Sequence, residues 1–160
     1  DREGFLAQLR KEMHSFIRTC DRQSVMPVFR LNTISDVQWE NNLELQDEFG
    51  DAFFYDYTKL GGRLHKPMPD NYKLMFSYSP MPAYQKQVTL ALGTDVPIAV
   101  VGRGEMPETF LGRPCINGDD SDIVNVQSGR TVVWLKAKGD AKGTAGDGFV
   151  VDSTDLIASA

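Results

Sequence analysis

The stretch VPIAVVG, Val96 to Gly102, is apolar at almost every position. A strand with one face in water alternates apolar and polar residues, whereas an unbroken apolar run marks a strand covered on both faces. Such strands lie inside parallel sheets, where crossover connections lay helices over them. That one run therefore requires further strands from the rest of the chain, with helices between them.

The chain supplies both in roughly alternating order. Phe5, Leu6, Leu9, Met13, Phe16, Ile17 and Cys20 recur at three- and four-residue steps. This spacing predicts an amphipathic helix from Arg2 to Cys20, capped by Asp1. A strand follows at Val25 to Asn32. Thr33 to Gly50 reads as a loop entering a second helix, capped by Ser35 or Asp36 and stopped at Gly50. Ala52 to Lys59 and Tyr72 to Ser79 read as strands, separated by a loop rich in glycine and proline. Pro80 and Pro82 open a helical segment that closes at Gly93. After Val96–Gly102 comes an irregular region, then a strand at Thr131 to Gly139 and a short one at Gly148 to Asp152. The order predicts an α/β fold: a mostly parallel sheet with crossover helices, forming a partial (β/α) barrel or an open sheet. A closed eight-fold barrel needs about 200 residues or more, and this chain has 160. No linker or internal repeat divides it, so residues 1–160 read as a single domain.

Composition narrows the function. A formal net charge of -5 disfavours a protein that coats nucleic acid, which is normally basic. No apolar run approaches the roughly 18 residues of a membrane span, so no membrane partner is expected. Cys20 and Cys115 are too few for a disulfide framework. Oligomeric state and cofactor are left open.

Residues two apart on a strand share a face. By that rule Val28, Arg30 and Asn32 belong together, as do Phe54, Asp56 and Thr58, then Met75, Ser77 and Ser79, then Trp134, Lys136 and Lys138. Each strand starts apolar and turns polar on one face toward its C-terminal end. A charge inside a sheet is costly unless paired or solvated. Such strand ends therefore predict a shared wet cavity at the carboxyl edge, where parallel α/β folds bind ligands. Arg30, Lys136 and Lys138 suit a phosphate or carboxylate. Asn32, Thr58, Ser77 and Ser79 suit the orientation of a polar ligand. Asp56, with Asp36 or Lys59 just beyond their strands, is the candidate acid, base or metal group. The competing expectation is a half-exposed antiparallel sheet with these residues in water.

In INGDDSD, Asp119 and Asp122 are candidate ligands for a divalent cation, although a solvated turn accounts for the same residues. His14 and His65 have no partner at metal-ligand spacing.

In order, FRLNTISDVQWE, FFYDYTK, NYKLMFSYS, INGDDSD and WLKAKGDAKGTAGDGFVV resemble a group of phage- and plasmid-encoded proteins similar to gene product eighty-eight. The resemblance runs from Asp1 to about Val151. It marks Arg30, Asn32, Ser35, Asp36, Trp39, Glu40, Asp56, Tyr57, Lys59, Ser77, Gly118, Asp119, Asp122, Lys136 and Lys138 as matching recurring motifs. It implies a phage-type protein, hence a place in the cytoplasm of a bacterial host. It also implies a cysteine-containing segment ahead of Asp1, of a kind that binds an iron–sulfur cluster or another metal. The chain thus reads as a fragment lacking that segment. The expected function is binding of a small anionic ligand, nucleotide or phosphate-like, with or without catalysis. The alternative is a non-catalytic viral factor that sequesters a ligand or engages a host protein.

Overall fold

The structure, a computed structural model, describes residues 1–143 and 148–154. Its strands are β1 (Val28–Phe29), β2 (Phe53–Thr58), β3 (Tyr72–Ser77), β4 (Ile98–Arg103), β5 (Thr109–Phe110), β6 (Arg113–Asn117), β7 (Val132–Lys136) and β8 (Val150–Asp152). They form one open sheet in the order β1-β2-β3-β4-β7-β6-β5, with β8 also paired to β4. All pairings are parallel except the β5–β6 hairpin. The α/β class and the parallel sheet are thus as the apolar run requires, and the sheet is open rather than closed. One edge of β4 is shared: β3 pairs at Ile98 and Ala99, and β8 takes over from Val101 to Arg103.

Three α-helices accompany the sheet among the described residues: α1 (Arg2–Gln23), α2 (Gln85–Leu92) and α3 (Asp122–Val126). On one face Phe54, Tyr72, Leu74, Phe76, Ile98, Val100, Val132 and Trp134 pack beneath α1 and α2. α1 sends Leu6, Leu9, Met13 and Ile17 into that layer, and α2 sends Val88 and Ala91. The opposite face carries Met75, Ala99 and Val133 against Val126 of α3. Because α3 is so short, Phe53, Tyr55, Tyr57, Ile116 and Leu135 on that face stay only partly buried. This asymmetry explains why β2 alternates in burial while β4 is buried almost throughout.

Several local expectations are corrected. α1 extends past Cys20 to Gln23, capped by the Asp1 carboxylate, which accepts from the Gly4 amide at 3.1 Å. β1 is only Val28–Phe29 rather than Val25 to Asn32. The second helix does not form; Thr33 to Gly50 holds one 3-10 turn, Trp39–Asn41. Its competitor is the Asn32 side chain, which donates to the Val37 carbonyl at 2.9 Å and accepts from the Val37 amide at 3.1 Å. Side chains that bond the local backbone in this way displace helix. The apolar residues of the segment, Leu43, Leu45 and Phe49, are nevertheless buried in the core. The irregular region contains the β5–β6 hairpin, turned at Leu111 and Gly112 with φ of 54° and 70°, and then α3.

Candidate functional site

A cavity of about 520 Å³ opens at the C-terminal ends of β1, β2 and β3. Arg30 enters it from the end of β1, its guanidinium carbon 4.5 Å from the centre of the Tyr57 ring and one nitrogen 3.8 Å from Asp122. Lys59, one residue beyond β2, lies on the same wall. Its Nζ donates to the Ser77 hydroxyl at 3.2 Å, the Ser77 carbonyl at 3.3 Å and the Tyr78 carbonyl at 3.5 Å. Burial holds the Lys59 amine below the usual lysine range, opposed by the nearby Asp36 charge. Thr33, Ile34 and Ser35 form the opposing loop, and Leu135 of β7 is an apolar part of the lining.

The carboxylates around the cavity are already engaged. Asp122 accepts hydroxyl protons from Tyr55 and Tyr57, each at 3.0 Å. Burial first, and then this carboxylate, pushes both phenols above the usual tyrosine range. Asp36 accepts from the Thr58 hydroxyl at 2.8 Å and the Lys59 amide at 2.9 Å through one oxygen. Its other oxygen accepts from Arg63 at 2.8 Å.

Arg63 anchors a buried polar chain behind this wall. Its guanidinium bonds Glu40 twice, at 3.0 and 2.6 Å, and donates to the Tyr72 hydroxyl at 3.2 Å. Tyr72 donates to Asp56 at 2.5 Å. Asp56 also accepts from the Asn32 amide at 2.9 Å and from its side chain at 3.1 Å. Burial pushes the Asp56 carboxyl upward, against the hydrogen bonds from Tyr72 and Asn32 and the charge of Arg63. The Asn32 carboxamide oxygen takes bonds from Ser35 at 2.8 Å and the Trp39 indole at 3.1 Å. The Thr33–Trp39 loop is thereby fastened to the sheet. Neither Arg63 nor Tyr72 carries a sequence signal of this role: Arg63 stands in a glycine-rich loop, and Tyr72 reads as one more apolar strand residue. Glu40 and Trp39 were signalled only by the motif resemblance.

Of the residues expected to share a site, Arg30, Asn32, Asp36, Thr58, Lys59 and Ser77 line this cavity, and Asp122 joins them. Asp56 does not line it and is buried beneath Asn32. Ser79 is also elsewhere, donating to the Gly148 carbonyl at 2.9 Å. Lys136 lines a separate cavity of about 340 Å³ with Asn117, Asp119 and Trp134. Lys138 pairs with Asp119 at 2.9 Å. The expectation that Arg30 and Asn32 share a face is overturned as well. The chain leaves the strand after Phe29, so Arg30 goes to the Tyr57 side and Asn32 to the Asp56 side. Asp119 and Asp122 serve different partners, and no group of three or more His, Cys, Asp or Glu side chains among the described residues is arranged to hold a metal ion. His14 bonds Glu48 and His65 bonds the Leu90 carbonyl.

Together these features define an open, mostly parallel α/β protein with a polar cavity at the carboxyl ends of its first strands. The chain belongs to the Gene product 88 family, whose sequence profile matches residues 1–153. No curated protein and no solved structure matches it. Among the described residues no helix is long and apolar enough to cross a membrane.

Proposed function

We propose that the β1–β3 cavity binds a small anionic ligand, nucleotide or phosphate-like, between Arg30 and Lys59, in the cytoplasm of a bacterial host. The supporting observation is that both cations reach one cavity whose carboxylates are already satisfied by other donors. A charge-assisted pair between guanidinium and carboxylate closes to about 2.7–2.9 Å. Arg30 gives its Nε–H to the Asn32 carbonyl at 3.2 Å and stands 3.8 Å from Asp122 through one terminal nitrogen, so its terminal N–H groups have donors left for a ligand. Ser77 accepts from Lys59, which leaves its own proton to donate into the cavity. Asp36 and Asp56 have no free role as acid or base while Arg63, Tyr72 and Asn32 occupy them. That engagement favours the sequestering alternative over acid–base turnover by these carboxylates.

Native mass spectrometry of protein purified from cells, followed by thermal melting with phosphate, pyrophosphate and AMP, tests the reading. A ligand present at 100 times its Kd stabilises by about 2.7 kcal/mol. For a domain of this size, that corresponds to a melting temperature raised by roughly 5–10 °C. Arg30→Met should abolish most of the rise. Melting temperatures indifferent to every anion, or a rise that survives Arg30→Met and Lys59→Met together, would refute it.

A further inference from the structure

We propose that Lys59 is a nucleophilic lysine, whose amine condenses with the carbonyl of a small aldehyde or ketone while Arg30 holds that molecule's anionic end. The inference rests on the anion-binding reading of the same cavity. It adds the substrate class, a carbonyl compound carrying an anionic group.

An ordinary ammonium is held by water or by a carboxylate at short range. Among the described residues, Lys59 has no carboxylate partner at ion-pair distance. Its Nζ contacts are all neutral: the Ser77 hydroxyl, the Ser77 carbonyl and the Tyr78 carbonyl, at 3.2–3.5 Å. Those are long beside charge-assisted bonds of about 2.7–2.9 Å. The amine is half-buried, which disfavours its charged form. Other groups around it are accounted for. Asp36, on the facing loop, favours the charged amine through space, but its oxygens bond Arg63, Thr58 and the Lys59 backbone rather than Nζ. Tyr84 places its ring 5.3 Å from Nζ, a modest preference for the cation. Asp122, which also lines the cavity, is held by Tyr55 and Tyr57. An amine that is wetted by a cavity and weakly held as a cation is a candidate for covalent chemistry.

The step balances without a further reagent. Nζ first releases its ammonium proton to solvent; its lone pair then adds to the carbonyl carbon, and the C=O π electrons move to oxygen. Oxygen gains the proton that nitrogen loses, passed through the Ser77 hydroxyl, which accepts one proton and gives another. The carbinol hydroxyl then leaves as water with the second Nζ proton, which leaves a C=N bond to Lys59.

The test is reductive trapping. Wild-type protein is treated with cyanoborohydride and either glyoxylate, which is anionic, or glycolaldehyde, which is neutral, and labelled lysines are mapped by peptide mass spectrometry. Lys59 should be labelled ahead of Lys66, Lys73 and Lys136 by both reagents. Arg30→Met should slow glyoxylate labelling of Lys59 at least about tenfold, the scale of a lost charge-assisted hydrogen bond, and leave glycolaldehyde labelling unchanged. Lys59→Arg should abolish the Lys59 adduct while Lys66, Lys73 and Lys136 are labelled as in wild type. If Lys59 reacts no faster than surface lysines and pyrophosphate still stabilises the protein, the nucleophile is refuted and anion binding stands. If Lys59 reacts selectively but identically with both reagents in wild type and Arg30→Met, the anionic substrate class is refuted.

Discussion

Replacing Arg63 with methionine removes the guanidinium while keeping an apolar stem of similar length. In the native protein the Arg63 side chain is 1% exposed and its closest partner, Glu40, 5% exposed. The substitution strands the Glu40 carboxylate without its two bonds, takes a donor from Asp36, and leaves the Tyr72 hydroxyl one donor short. Removing one partner of a buried ion pair costs about 3–5 kcal/mol. That is a large share of the roughly 5–15 kcal/mol that keeps a typical domain folded. With a urea slope of about 2 kcal/mol per molar, the midpoint should fall by roughly 2 M with the slope unchanged. The double variant Arg63→Met/Glu40→Leu removes the stranded charge, and such apolar replacements are often neutral or stabilising. It should regain at least half the loss. A single-variant cost below about 1 kcal/mol, typical of an exposed pair, would refute a desolvated network. So would a double variant no more stable than the single.

Lys59→Met should separate stability from function. Because burial lowers the Lys59 pKa, its uncharged form favours folding above the ordinary lysine pKa, and that contribution is lost as pH falls through the lowered value. At pH 7, below the ordinary lysine pKa, the native protein bears the cost of burying this group, so the variant should melt at the same or a higher temperature, while its response to pyrophosphate disappears. Thermal melts at pH 7 and pH 10.5 check the sign, the difference shrinking at the higher pH. Burial pushes the Cys115 thiol up to about 11, so at pH 8 iodoacetamide should label it slowly until urea unfolds the chain, as read by intact mass. Gly102→Ala would put a Cβ 1.8 Å from the Trp134 ring. Overpacking of that kind costs about 1–3 kcal/mol or more, with a matching change in tryptophan fluorescence.

The legible parts of the fold were those carried by local pattern. The apolar run at Val96–Gly102 became β4, near the middle of the sheet, and the three- and four-residue spacing became α1. Alternation within a strand also held, since Phe54 and Asp56 do share a face. What alternation cannot carry is the parity between strands, which register sets. Phe54 aligns with Tyr72, so Asp56 faces the same way as Leu74, and Ser77 faces the other. Ile98 aligns with Phe76 and Val132, which puts Trp134 and Lys136 on the Phe76 side, away from Ser77. Four polar strand ends therefore divided between two faces. Arg30 and Ser77 kept one cavity, Asp56 went into a buried network, and Lys136 went to a second cavity. Arg63 was illegible for another reason: its partners lie 9 to 27 residues away, beyond any periodic signal.

Isothermal titration of pyrophosphate at low ionic strength, into wild type and two double variants, measures which cations hold an anion. If the β1–β3 cavity is the site, Arg30→Met/Lys59→Met loses binding and Lys136→Met/Lys138→Met binds as wild type does. Binding that vanishes in the second variant and persists in the first would contradict it.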